Sequence, residues 1–281
     1  MYKIAYIYGL GMIGGSIAIS LKKRNISKNI YAYDKNKKSL TFAKKNQIID
    51  DYDTNSFKLL KQADLIIVCA PINSYKRIFE IIKIHKKPEC IITDVGSTKT
   101  SVINCANNIF GKDQKCFVGS HPLAGKETSG VKNACPNLFM NAVTIITTTN
   151  STNKASLNKI KSFWKKIGCK IETLTPPMHD IIMSETSHVP HLISYSLVNS
   201  IYKSKHVKNI DKFTGGGFKD FARIARSNPL MWRDICENNR KNILSSLRLF
   251  IKELKLLKLK INQNNYKELH SFFEKTKNKL S

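Results

Sequence analysis

KIAYIYGLGMIGG, residues 3–15, decides the fold. The first six residues form an apolar strand, and Gly9, Gly11 and Gly14 follow in the G-x-G-x-x-G spacing before a helical pattern that runs to about Lys23. In such a strand-turn-helix unit the first glycine permits the tight turn. The second lets a pyrophosphate approach the backbone, and the third lets the helix pack close to the strand. Leu10, Met12 and Ile13 complete this expected cofactor loop. Asp34, twenty residues past Gly14, ends a second strand, NIYAYD (29–34), where a carboxylate can accept hydrogen bonds from an adenosine ribose. Its charge repels a 2′-phosphate, so NAD is expected rather than NADP, although Lys35, Lys37 and Lys38 offset part of that repulsion.

Working outward, further strands are expected in ADLIIVCAP (63–71), ECIITDVGS (89–97), KCFVGSHP (115–122), AVTIITT (142–148) and CKIETLT (169–175), with helical patterns filling most of the gaps. The class is α/β: a Rossmann-type, doubly wound, mostly parallel sheet with helices on both faces. After Pro176 and Pro177 the texture changes to helical periodicity alone. The expected division is therefore a dinucleotide-binding domain over 1–177 and an all-α domain over 178–281. Asn228 and Pro229 read as the N-cap and first residue of a long helix carrying a heptad seam, Ile243, Leu247, Phe250, Leu254, Leu257 and Ile261. That seam suits packing within the same bundle or a homodimer interface.

Composition excludes several classes. With 42% hydrophobic residues the chain can bury a substantial core. The net charge of +27 raises nucleic acid as a partner, but the lysines are spread among Asn and Ile, as AT-rich codon usage produces, and no basic block alternates with aromatics. No nucleic acid is expected, and the positive field suits small anionic substrates. The seven cysteines form no C-x-x-C pair and have no histidine partner at zinc spacing, so they read as reduced thiols of a cytoplasmic protein. Glycines interrupt the apolar N-terminus where a signal peptide would be continuous. No run reaches the roughly 18 apolar residues of a membrane span, so no membrane association is expected.

In an open parallel sheet, ligands bind outside the carboxyl ends of the strands. Three expected strands end there in CAP (69–71), DVGS (94–97) and SHP (120–122). Ala70 and Pro71 are expected to line the cofactor, with Ser97 and His121 converging on the nicotinamide. His121 lies in GSHPLAGKETSG (119–130), among small residues that leave space around it. An imidazole beside a nicotinamide suits a general base that takes a hydroxyl proton as hydride leaves the same carbon, and Ser97 could orient it. The plainer alternatives are a histidine stabilising a turn, and Ser97 as the N-cap of a helix beginning near Thr98.

In SETSHVPHLISYSL (184–197), Ser184, His188, His191 and Tyr195 fall at offsets of four, three and four on one helical face, with Pro190 expected to kink the helix. Two histidines at a helix defect favour a binding face. No carboxylate or third ligand completes a metal site, so no metal is expected. In FTGGGFKDFARIARSNPLMW (213–232), Arg223 could clamp a substrate carboxylate or pair with Asp220 on the surface.

Taken in order, GLGMIGGSIA, DVGSTK, SHPLAGKETSG, SHVPH and GGGFKDFARIARSNPLMWRDI resemble the prephenate and arogenate dehydrogenases of tyrosine biosynthesis over nearly the whole chain. The resemblance implies a Rossmann domain followed by a helical dimerisation domain. It also implies oxidative decarboxylation of prephenate to 4-hydroxyphenylpyruvate with NAD. By that resemblance His121 is the base at the C4 hydroxyl and Ser97 assists it. His191, with His188 close by, binds substrate, and Arg223 is the carboxylate ligand; Ser184, on the same helical face by its offset, is expected to bind substrate too. Val189 and Met12 stand where leucine, or leucine or isoleucine, is usual. Neither a fused chorismate mutase nor a C-terminal ACT domain is expected, so feedback by tyrosine would act at the active site. Arogenate is the nearest rival substrate. A beta-hydroxyacid-type dehydrogenase would use a lysine of the helical domain, and a basic regulator would need a clustered basic stripe.

Overall fold

The computed structural model describes residues 1–203 and 210–280, with 112–114, 210 and 211 described in backbone only. Strand β1 (Tyr2–Tyr8) leads through the glycine turn into α1 (Met12–Lys23), then β2 (Ser27–Tyr33), α2 (Lys37–Lys45) and a short β3 (Asp51–Tyr52). The chain then crosses to β4 (Leu65–Val68), α3 (Tyr75–His85), β5 (Ile91–Asp94), α4 (Thr100–Phe110) and β6 (Phe117–Pro122), and continues through β7 (Val143–Thr147), α5 (Lys154–Ile167) and β8 (Lys170–Leu174). The eight strands form one sheet in the order β3-β2-β1-β4-β5-β6-β7-β8. Neighbours run parallel except β6 and β7, whose antiparallel register places His121 opposite Ile145.

This order makes the gap between β1 and β4 the topological switch point, where crossovers leave in opposite directions and open a crevice at the carboxyl edge. Apolar side chains cover both faces of the sheet. One core gathers Ile7, Ile17, Leu21, Ile67 and Trp164; the other gathers Tyr6, Ile66, Phe79, Ile92 and Phe117. Strand β3 is not among the strands expected from sequence, because a piece of two residues carries no periodicity.

The remaining elements are helical: α6 (Pro176–Met183), a π-helical turn (Ser184–His188), α7 (Val189–Tyr202), α8 (Gly216–Ala225), α9 (Pro229–Asn238), α10 (Arg240–Asn262) and α11 (Tyr266–Lys277). Pro176 and Pro177 begin α6 under a Thr175 cap, so the chain enters the helical region without a linker. The long helix expected from Asn228 is two helices. They part at buried Asn239, whose side-chain amide donates to the Asp180 carbonyl at 2.7 Å. An amide that finds such a partner competes with continued helix.

The core of this region is small: Val189, Trp232, Ile235 and Ile243, flanked by Leu247 and Phe250. The seam therefore divides. Its first half packs within the subunit, while Leu254 and Ile261 are 47% and 50% exposed. Among the described residues no helix is long and apolar enough to cross a membrane.

Candidate active site

The glycine turn has the steric character of a cofactor cradle. Gly9 has φ +101°, and a Cβ there would lie 2.6 Å from the Cys69 carbonyl oxygen at the end of β4. A Cβ at Gly14 would lie 2.1 Å from the Gly9 carbonyl oxygen, so α1 can meet β1 only through hydrogen. Gly11, by contrast, faces open space, with nothing within 4 Å of its Cβ position. Two glycines thus draw the backbone together and the third leaves it accessible at the start of α1, where unpaired N–H groups and the helix dipole favour an anion. The Leu10 and Met12 side chains are buried, so these residues can meet a cofactor only through backbone. Asp34 accepts from Leu10 N at 2.6 Å and from Asn36 N at 2.7 Å, which fixes the carboxylate beside the turn. Ala70 and Pro71 follow β4 at the same edge. These residues fit a dinucleotide.

At the same carboxyl edge stands His121, 9% exposed. The strand carrying it is braced from below. Buried Lys99 ion-pairs with Asp94 and donates to the Ser120 carbonyl at 2.9 Å, while Asp94 accepts from Ser120 N at 3.0 Å. Both backbone groups of the residue before His121 are therefore tied to one buried ion pair. Burial, with the neighbouring His179, Lys99 and His188, holds the His121 imidazole well below its ordinary range, so it is neutral at physiological pH.

His121 Nδ1 lies 2.9 Å from His179 Nε2, and His179 Nδ1 lies 2.8 Å from Asp180 Oδ1. Asp180 also accepts from Lys99 N at 2.8 Å and Thr100 N at 2.9 Å, which joins α6 to the start of α4. Sequence reading misses both residues. The only signal is a His-Asp pair in the first turn of a helix after two prolines, and their burial depends on α6 folding back onto the sheet.

Ser97 departs from expectation in two ways. Helix α4 begins at Thr100 with Lys99 before it, so Ser97 is not its cap. The described contacts contain no bond from Ser97 to the imidazole, whose Nδ1 is taken by His179 instead. Ser97 lies beside His188, whose ring faces its backbone and is buried to a pKa of about 4. His188 Nδ1 accepts from Asn239 Nδ2 at 3.2 Å.

The helix defect expected at Pro190 is the π-turn, which closes where α7 starts. A π-turn inserts a residue, so the residues before it are rotated by about 100° relative to those after it. Ser184 accordingly leaves the histidine face. Buried, it bonds the Ile181 carbonyl and, at 2.8 Å, Ser246 Oγ, so it joins the π-turn to α10. His191 donates from Nδ1 to the Ser187 carbonyl at 2.8 Å and stacks on Trp232 with ring centroids 4.2 Å apart. Tyr195 donates to the Ser227 carbonyl.

Arg223 does not pair with Asp220. Its Nη1 bonds Glu127 Oε1 at 2.7 Å, which links α8 to the loop after His121. The Arg223 charge also acts on His191, whose pKa is lowered mainly by burial. His121, His188, His191 and Arg223 thus form a chain of neighbours, each within electrostatic reach of the next, and Ser97 lies beside His188.

Residues 17–173 match the family model described as the nucleotide-binding domain of prephenate dehydrogenase, and residues 175–275 match that of its dimerization domain. The chain belongs to the prephenate dehydrogenase family. It is 34% identical over 271 residues to the prephenate dehydrogenase of Bacillus subtilis, covering 96% of this chain and 73% of that protein. It is 31% identical to the cyclohexadienyl dehydrogenase of Zymomonas mobilis, covering 100% and 96%. The crystal structure of the Aquifex aeolicus prephenate dehydrogenase with hydroxyphenyl propionate and NAD+ superposes with a TM-score of 0.92 at 35% identity, covering 99% of this chain and 96% of that one. The Synechocystis arogenate dehydrogenase superposes at 0.81 with 29% identity, covering 97% of each chain. Family membership rests on both halves of the chain, which separates it from proteins that share only the Rossmann domain.

Proposed function

We propose that this chain catalyses the NAD-dependent oxidative decarboxylation of prephenate to 4-hydroxyphenylpyruvate, a step of tyrosine biosynthesis. The observation that carries the reading is a buried, neutral imidazole, His121, at the sheet edge that also bears the glycine cradle. Gly9, Gly11 and Gly14 would hold NAD, which would supply the hydride acceptor, and Asp34 would hold its ribose.

The protein's own part is positioning and proton transfer. His121 takes the C4 hydroxyl proton as C4 gives up hydride, and the C4–O bond becomes a carbonyl. The bond from C1 to its carboxylate then breaks and CO2 leaves; the electron pair enters the ring, the C4 carbonyl pair moves onto its oxygen, and that oxygen recovers the proton from His121 as the phenol of the aromatic product. Aromatisation supplies the driving force, so the site needs mainly to hold C4 and counter the substrate's negative charge. Arg223 serves the second need by exchanging the Glu127 carboxylate for one of the substrate. His191, fixed with its Nδ1 proton on Ser187, presents Nε2 as an acceptor, and Ser97 with His188 forms the wall beside the base.

The functional unit in this reading is a homodimer joined through α10 and α11. The apolar half-seam of Leu254 and Ile261 and the match to a dimerization domain support it. The seven cysteines, which form no C-x-x-C pair, suit the reducing cytoplasm.

The deciding experiment follows reduced nicotinamide by absorbance with purified protein, offering prephenate or arogenate, each with NAD or NADP. Turnover of prephenate with NAD is expected. Turnover of arogenate alone would reassign the substrate, and silence with all four pairs would leave only the dinucleotide fold.

A further inference from the structure

His121 can act as a base only if the lone pair on its ring faces the substrate, and an imidazole has two tautomers. The contacts behind it decide between them. The backbone N–H groups of Lys99 and Thr100 can only donate, so both Asp180 oxygens are acceptors and the carboxylate is ionised. Burial opposes that charge, but the bonds from His179 and Thr100 outweigh it and keep the Asp180 carboxyl below its ordinary range. His179 Nδ1, 2.8 Å from this carboxylate, must therefore carry hydrogen. Burial keeps His179 neutral despite the Asp180 bond, so its Nε2 holds a lone pair. His121 Nδ1, 2.9 Å away, must then be the donor.

We propose that Asp180 and His179 are positioning residues that fix His121 in the Nδ1–H tautomer, leaving Nε2 as the proton acceptor for substrate. This rests on the reading of His121 as the base. Each ring is locked by the next, and the last is locked by two backbone donors at the start of α4, where rotation would expose both N–H groups. The arrangement also supplies a counter-charge. Besides His179, His121 is influenced by Lys99 and His188; His188 is neutral, and Asp94 offsets Lys99. The Asp180 carboxylate, bonded to the far side of the His179 ring, is the negative charge at the end of this relay when Nε2 accepts the substrate proton. His179 and Asp180 keep their own protonation states throughout, and the one proton that moves passes from the substrate oxygen to His121 Nε2 and returns to that oxygen as the ring becomes aromatic. In the serine-protease triad, loss of the orienting carboxylate imposes the wrong tautomer and lowers kcat about 10⁴-fold.

The test compares His179→Leu with His179→Gln in the full chain and reads the His121 tautomer by ¹⁵N NMR of histidine-labelled protein, with the His121 signals assigned by their loss in His121→Asn. In the wild type His121 Nε2 should be the unprotonated nitrogen. His179→Leu removes the acceptor and should lower kcat by a factor on the order of 10² to 10⁴, with KM and NADH affinity within about threefold of wild type. The Nε2 signal should shift toward the protonated type. His179→Gln offers an amide oxygen to Nδ1–H and should recover most of the tautomer and turnover. A wild-type His121 protonated on Nε2 overturns the proposal whether or not the Leu variant folds. So does undiminished kcat in a folded His179→Leu protein. If His121→Asn itself turns over normally, the base assignment fails first, and the two failures are thereby distinguished.

Discussion

Replacing Gly11 and Gly14 separately by alanine tests the cofactor cradle, because the structure assigns the two glycines opposite costs. Gly11 has φ −81° and nothing within 4 Å of its Cβ position, so alanine fits without strain and stability should stay within about 0.5 kcal/mol. The methyl nevertheless fills the space through which a pyrophosphate reaches the first N–H groups of α1. Losing one or two hydrogen bonds to a charged group, about 1.5 kcal/mol each, should raise the Kd for NAD by about 10- to 150-fold. At Gly14 the new Cβ would stand 2.1 Å from the Gly9 carbonyl oxygen and 3.1 Å from Ile7 Cγ2, so α1 must leave β1. Overpacking of this kind costs about 3 kcal/mol, or roughly 6 to 12 °C in Tm for a domain of this size. Calorimetry of unfolding and NADH titration on the two proteins separate the effects. Wild-type NAD affinity in Gly11→Ala, or wild-type Tm in Gly14→Ala, would refute the cradle.

His121→Asn should cut turnover by a factor on the order of 10² to 10⁴ while NADH titration shows unchanged binding; full turnover removes the base. Arg223→Ala should raise the substrate KM about tenfold or more with a smaller change in kcat, and an unaltered KM would return Arg223 to a purely structural pair with Glu127. Acid should destabilise the fold through its buried histidines. The pKa of His188 falls from 6.5 to about 4 on folding, so its contribution is complete above pH 6.5 and is lost as pH falls toward 4, up to about 3 kcal/mol. Denaturant unfolding at pH 7 and pH 4.5 should show that loss, and His188→Gln should make the slope shallower.

Sequence alone determined the elements whose causes are local. The glycine spacing, the apolar strand before it and Asp34 at its distance specify a strand-turn-helix unit and a dinucleotide, since turn sterics and helix termini act within a few residues. His121 could be singled out as a candidate because the small residues of GSHPLAG leave space around it, and Arg223 because its guanidinium follows a glycine-rich turn. Ser184 misled because an offset of four means one face only in an unbroken α-helix, and the π-turn at 184–188 breaks that phase. Tertiary structure alone decided which groups share a hydrogen bond across long separations. His179 reaches His121 over 58 residues, Asp180 reaches Lys99 over 81, and Arg223 reaches Glu127 over 96. No periodicity in the chain encodes such meetings. They arise because burial leaves each polar group needing a partner, and only the folded backbone settles which partner lies within about 3 Å.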